Sequence, residues 1–201
     1  MRGILSVKLC RVTKGRLEAF TDGVIAILIT IMVLELKVPE GTSWDVLRPL
    51  VPIFLTYLLS FVFVGIYWNN HHHMLHAAER INGKVMWANL HLLFWLSLTP
   101  FVTGWMGQNH FAPIPTALYG AVLLLSAISW TILQTLLVAE QGPDSRLARA
   151  MGSDAKGKLS IVLYAAGIGL AFVNQWISDA IYVIVALMWL VPDRRIEQST
   201  R

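Results

Sequence analysis

Long apolar blocks alternate with short polar ones along the 201 residues. Residues 17–36 form the first block, which runs until Pro39. At 1.5 Å per residue such a helix reaches roughly 30 Å, the thickness of a bilayer's hydrocarbon core. Residues 47–69 form the second, with Pro49 and Pro52 in its opening turns, where a missing N–H is tolerated. Residues 85–105 and 116–139 form the third and fourth. The stretch from Leu159 to Val191 would make one helix of about 50 Å, too long for a single crossing. Asn174, Gln175, Ser178 and Asp179 lie near its middle. It therefore divides into two short spans, 159–175 and 178–191, joined by a tight outer turn. The pattern predicts an all-α integral membrane protein with six transmembrane helices in one unit, residues 1–201.

Charge supports the same count independently. Only 14% of the residues are charged, against about a quarter in soluble domains, and the charge is concentrated between the apolar blocks. Arg2, Lys8, Arg11, Lys14 and Arg16 precede the first span; Arg80 and Lys84 follow the second. Arg146, Arg149, Lys156 and Lys158 follow the fourth; Arg194, Arg195 and Arg201 close the chain. With six spans these fourteen of sixteen basic residues share one side, leaving Lys37 and Arg48 on the other. Basic residues in short loops mark the cytoplasmic face, so both termini are expected there. The net charge of +4 is thus a topology signal, and no nucleic-acid partner is expected. The basic start interrupts any signal-peptide core, so the first span is expected in the mature chain. Cys10, the single cysteine, forms no intrachain disulfide and no thiolate metal cluster. There is no internal repeat, and no loop is long enough for a soluble domain.

Polar groups within or at the ends of spans are the candidates for function, because ionisable groups in lipid need partners or water. Arg16, Thr21 and Asp22 open the first span and can be read as a helix start with a cap. Ile27, Thr30, Ile31 and Leu34 follow at i, i+3, i+4 and i+7, one helical face, for which packing against neighbouring spans is the ordinary explanation. His71, His72, His73 and His76 cluster after the second span. His72 and His76 share a helix face, as metal ligands can, but only Glu79 is a nearby acid. Histidine also titrates near neutral pH. Trp44, Trp68, Trp87, Trp105, Trp176, Tyr182 and Trp189 fall near span ends as an interfacial belt, and Asp179 falls in the solvated outer turn.

Arg16, Phe20, Thr21, Asp22 and Gly23 resemble the Arg-x-x-x-Phe-Ser-Asp-Gly signature of the lysosomal-type transmembrane potassium channels and their bacterial relatives, with threonine in place of serine. The likeness extends through Tyr67-Trp68-Asn69-Asn70-His71-His72 and from Asn89 to Pro100-Phe101. The resemblance implies a bacterial, single-unit member: a homotetramer in the plasma membrane, with no cofactor and with potassium and other monovalent cations as permeants. It places the first helices of four subunits around the pore, with Ile27 at the main constriction, a Thr30 hydroxyl ring one turn on, and Ile31 and Leu34 continuing the narrow part. It also implies that Asn70 and His72, with Trp68, meet Asp22, Thr21 and Arg16 in a network that clamps the pore helix. No Thr-Val-Gly-Tyr-Gly filter is present, so a carbonyl cage is excluded and modest potassium selectivity is expected.

Two other classes compete. A small-solute or proton-coupled carrier would show repeats and helices broken at mid-membrane, and the first span has no central proline. A membrane enzyme would need a metal on His71–His76. No other nucleophile–base constellation stands out.

Overall fold

The computed structural model describes residues 13–151 and 154–190. Cys10, Arg2, Lys8, Arg11, Arg194, Arg195, Arg201 and the end of the sixth expected span lie outside the described residues.

Eight α-helices make up the described chain: α1 Lys14–Met32, α2 Val51–Ala77, α3 Gly83–Ser97, α4 Thr99–Gln108, α5 Pro113–Gln141, α6 Arg146–Met151, α7 Ala155–Leu170 and α8 Gln175–Leu190. Short 3-10 turns, Val33–Glu35 and Trp44–Leu50, follow α1 and lead into α2. Four helical segments, Lys14–Glu35, Trp44–Ala77, Gly83–Gln108 and Pro113–Gln141, are long and apolar enough to cross a bilayer. The chain is a multi-pass membrane protein. α7 and α8 have 16 residues each, or about 24 Å, shorter than the other four.

Several expected boundaries move, each for a local reason. Asn69 to His76 do not follow the second helix but form its last two turns. The third span is interrupted at Leu98, because Pro100 lacks an N–H and its ring opposes the carbonyl four residues earlier. Its outer part, α4, begins there. The last pair of helices shifts toward the N-terminus, with the turn at residues 171–174 rather than around 175–178. The polar residues that suggested the turn either cap α8 or lie inside it. Asn174 Oδ1 accepts from the Trp176 N–H at 3.0 Å, and buried Ser178 donates to the Gly167 carbonyl at 2.7 Å. Asp179 therefore sits one turn into α8, not in a solvated loop, and neither carboxylate oxygen finds a partner among the described residues. Tyr182 also leaves the expected belt: it is fully buried and donates to the Thr116 carbonyl.

The helices pack in a closed order. α1 lies against α2 on one side and α3–α4 on the other; α2 continues to α8, α8 to α7, α7 to α5, and α5 back to α3–α4, while α4 also packs directly on α2 across this ring. Glycines allow the closest approaches. A Cβ on Gly107 would stand 2.7 Å from the Ile53 Cα, so α4 touches the α2 backbone. One core joins α2, α4, α5, α7 and α8 around Tyr119, Tyr164 and Tyr182. A second joins α1, α2, α3, α5 and α6 at the end carrying the basic residues. There Lys14 Nζ donates to the Ala78 carbonyl at 3.0 Å, capping α2. Gln141 holds the α2–α3 turn from both sides, accepting from the Glu79 N–H at 2.9 Å and donating to the Arg80 carbonyl at 2.7 Å.

Candidate pore face and its anchoring network

α1 has two unlike faces. Leu17, Thr21, Ile25, Leu28 and Met32 recur at helical spacing and are buried against the rest of the bundle. Rotated away from them, Phe20, Gly23, Ile27, Thr30, Ile31 and Leu34 form an exposed stripe. Ile27 is 57% exposed and Leu34 75%. All four residues expected at a constriction thus lie on the stripe of α1 that the other described residues leave uncovered. Thr30 is the stripe's only hydroxyl. It donates within its own helix, with the carbonyls of Ile27 at 2.9 Å and Ala26 at 3.1 Å in reach. Its proton is therefore turned to the backbone, which leaves oxygen lone pairs for an outside cation.

The buried face is fixed by three polar contacts near the basic end. Trp68 Nε1 donates to Asp22 Oδ1 at 3.0 Å. His72 Nδ1 lies 3.1 Å from Glu18 Oε1, with its ring stacked between those of Trp68 and His76. Deeper in, His71 Nε2 meets Asn89 Oδ1 at 2.8 Å, and Asn89 Nδ2 donates to Thr21 Oγ1 at 2.8 Å. His71, Asn89 and Thr21 are all buried, so this relay ties α1, α2 and α3 together through fully desolvated groups. An acceptor at Asn89 puts the His71 proton on Nε2; Nδ1 is buried without a partner among the described residues.

The arrangement brings together Thr21, Asp22, Trp68 and His72 but not Arg16 or Asn70. Arg16 is exposed at the first turn, and its side chain makes no contact with Asp22. Phe20 faces outward on the bare stripe. Asn70 is turned by its position on α2 to the opposite side. It donates to the Ile66 carbonyl at 2.9 Å and lines a 30 Å³ cavity with Tyr67, Trp130, Tyr164 and Trp189. Glu18 and Asn89 take the places expected of Arg16 and Asn70. A reading of spacing could have found Glu18, which stands four residues before Asp22 and so on the same helix face. Among the described residues no three His, Cys, Asp or Glu side chains converge in a way that could hold a metal ion.

The far end of α1 is held as well. Gln108 Nε2 donates to Glu35 Oε2 at 2.9 Å, and the Glu35 side chain lies where a Cβ on Gly104 would fall.

Residues 16–100, which hold most of α1, the network and the start of α4, match the family described as endosomal/lysosomal potassium channel TMEM175. The chain is 54% identical over 189 residues to a potassium channel of Chryseobacterium sp., covering 94% of this chain and 98% of that one. It is 30% identical over 188 residues to a potassium channel of Streptomyces collinus, covering 87% and 90%. Its structure is similar to the crystal structure of a lysosomal potassium-selective channel TMEM175 homolog from Chamaesiphon minutus. The TM-score is 0.76 at 26% identity, covering 90% of this chain and 97% of that one. Fold, length and sequence agree, and the chain belongs to the TMEM175 potassium-channel family.

Proposed function

We propose that four copies of this chain assemble with α1 of each around a common axis, forming a potassium-permeable cation channel. The observation that carries the reading is the bare stripe of α1. A helix anchored through one face and left uncovered along the other needs a partner for that second face, and a fourfold ring supplies three further copies of the same stripe. Ile27, Ile31 and Leu34 then form rings of branched side chains, and Thr30 forms a ring of hydroxyl oxygens between them. An apolar constriction gates by dewetting and conducts in a slightly wider state. Hydroxyl oxygens replace part of the hydration that the cation loses there. Selectivity comes from side chains, since the sequence has no Thr-Val-Gly-Tyr-Gly carbonyl cage. The Chamaesiphon homolog is a potassium-selective channel, which supports potassium as the main permeant here.

In this reading α7 and α8 complete six crossings, and the end carrying the basic residues faces the cytoplasm of a bacterial plasma membrane. The test is flux of potassium and sodium from vesicles holding purified protein. Ile27→Ala should raise potassium flux severalfold, and Thr30→Val should lower the potassium-to-sodium ratio. If both variants match the parent in conductance and selectivity, α1 does not line the pore.

A further inference from the structure

α3 carries one side chain that a lipid environment does not explain. His91 is exposed along the middle of the helix, eight residues from its start at Gly83. Trp95 Nε1 donates to its Nε2 at 2.9 Å. In the neutral ring the proton is then on Nδ1, and that N–H has no acceptor among the described residues. Around it the outward flank of α3–α4 is aromatic: Trp87 (75% exposed), Phe94 and Phe101 stand out at helical spacing. The rings alone would suit lipid. An imidazole N–H left unpaired in hydrocarbon would not.

The other flank beside α1 offers the missing acceptor. On α2, between the side facing α1 and the side facing α8, Asn69 is exposed, and its side chain makes no hydrogen bond among the described residues. Two contacts fix the relative heights of the antiparallel helices: His71 with Asn89, and Ser60 with Thr103 at 2.6 Å. Two residues beyond the first contact in each chain direction, His91 is level with Asn69. Two residues beyond the second, Phe101 is level with Val62, which lines a groove of about 410 Å³ between α2 and α8. One flank therefore presents an N–H donor and a protruding ring. The other presents an amide and an apolar groove at the same two depths. Rotation about an axis along the membrane normal preserves depth.

We infer that the outward flank of α3–α4 is the docking surface for a second copy of this chain, which offers its α2–α8 flank, with His91 Nδ1–H donating to Asn69 Oδ1 and Phe101 entering the groove. The contact is heterologous and closes as a ring, as the proposed channel requires. It rests on that channel reading but adds to it which surfaces meet.

The test uses the full chain in vesicles with Cys10→Ser, so that introduced thiols are the only ones. Asn69→Cys and His91→Cys are combined and treated with a short bifunctional thiol reagent. The expected result is a ladder of two, three and four linked chains, absent from either single variant. A double variant that keeps tetramer mass by light scattering yet stays unlinked overturns the interface and leaves the channel standing. Monomer mass without potassium flux in the Cys10→Ser parent, which keeps Asn69 and His91, overturns both. Asn69→Leu removes the acceptor of the proposed bond and breaks no other hydrogen bond among the described residues. It should raise the concentration at which tetramers dissociate in detergent by about tenfold, given the modest strength of interhelical hydrogen bonds in membranes. An unchanged dissociation point overturns the assigned bond.

Discussion

The two faces of α1 differ in what they ask of their residues. The buried face depends on identity: Thr21 must offer an oxygen to Asn89, and Asp22 a carboxylate to Trp68. The bare face has no partner among the described residues, which place no packing demand on it. Constraint on that face has to come from outside the subunit. A single helix can thus be a rigid structural member on one side and a working surface on the other, because its 3.6-residue period keeps the two sets of side chains apart.

Substitutions ranked by their expected effect on stability can break this contrast. The largest effect should come from Asn89→Leu, which strips the buried His71 and Thr21 of their shared partner at once. Leaving two desolvated polar groups unpaired costs roughly 3 kcal/mol, so the protein should express poorly or melt far below the parent in a fluorescence-detected thermal scan. Asp22→Asn comes next. It keeps an acceptor for Trp68 but removes the charge that strengthens that bond, a loss of about 1 kcal/mol. Tetramer yield by size exclusion should fall before ion preference changes, and a stable tetramer with altered preference would show that Asp22 belongs to the working face. Glu18→Gln should cost still less, about 0.5 kcal/mol or under, because its pairing with His72 is half in solvent. Ile27→Ala should leave the melting temperature nearly unchanged while altering conductance. A melting shift as large as that of Asn89→Leu would mean that Ile27 packs within its own subunit after all.

Much of this division is written in the sequence. Alternation of apolar and polar blocks gives the helices, and the spacing of Ile27, Thr30, Ile31 and Leu34 places them on one face. The partners of the anchoring side are harder to read, because they depend on the rotational phase of α2. Asn69 to His76 read as a polar connection, yet they continue the helix, supported by the buried Met74 and Leu75 within that same run. Once the helix continues, each residue turns by about 100°, and adjacent polar residues face different neighbours. Trp68 and His72 reach α1, His71 reaches α3, and Asn70 reaches the cavity beside α5 and α7. Hydropathy cannot separate them, since all are polar or amphipathic and differ only in direction. The displaced turn before α8 has a related cause: Ser178 reads as a loop residue until a carbonyl from Gly167 is found to receive it.

The contact between Gln108 and Glu35 has a mechanical meaning. With Asp22 tied near one end of α1 and Glu35 near the other, the helix resembles a barrel stave held by two hoops. Such a stave cannot swing outward from a hinge at either end. In the proposed channel of four such staves, opening is left to small rotations or bowing between the fixed points, so the passage would widen by the reach of a side chain while the outline stayed the same.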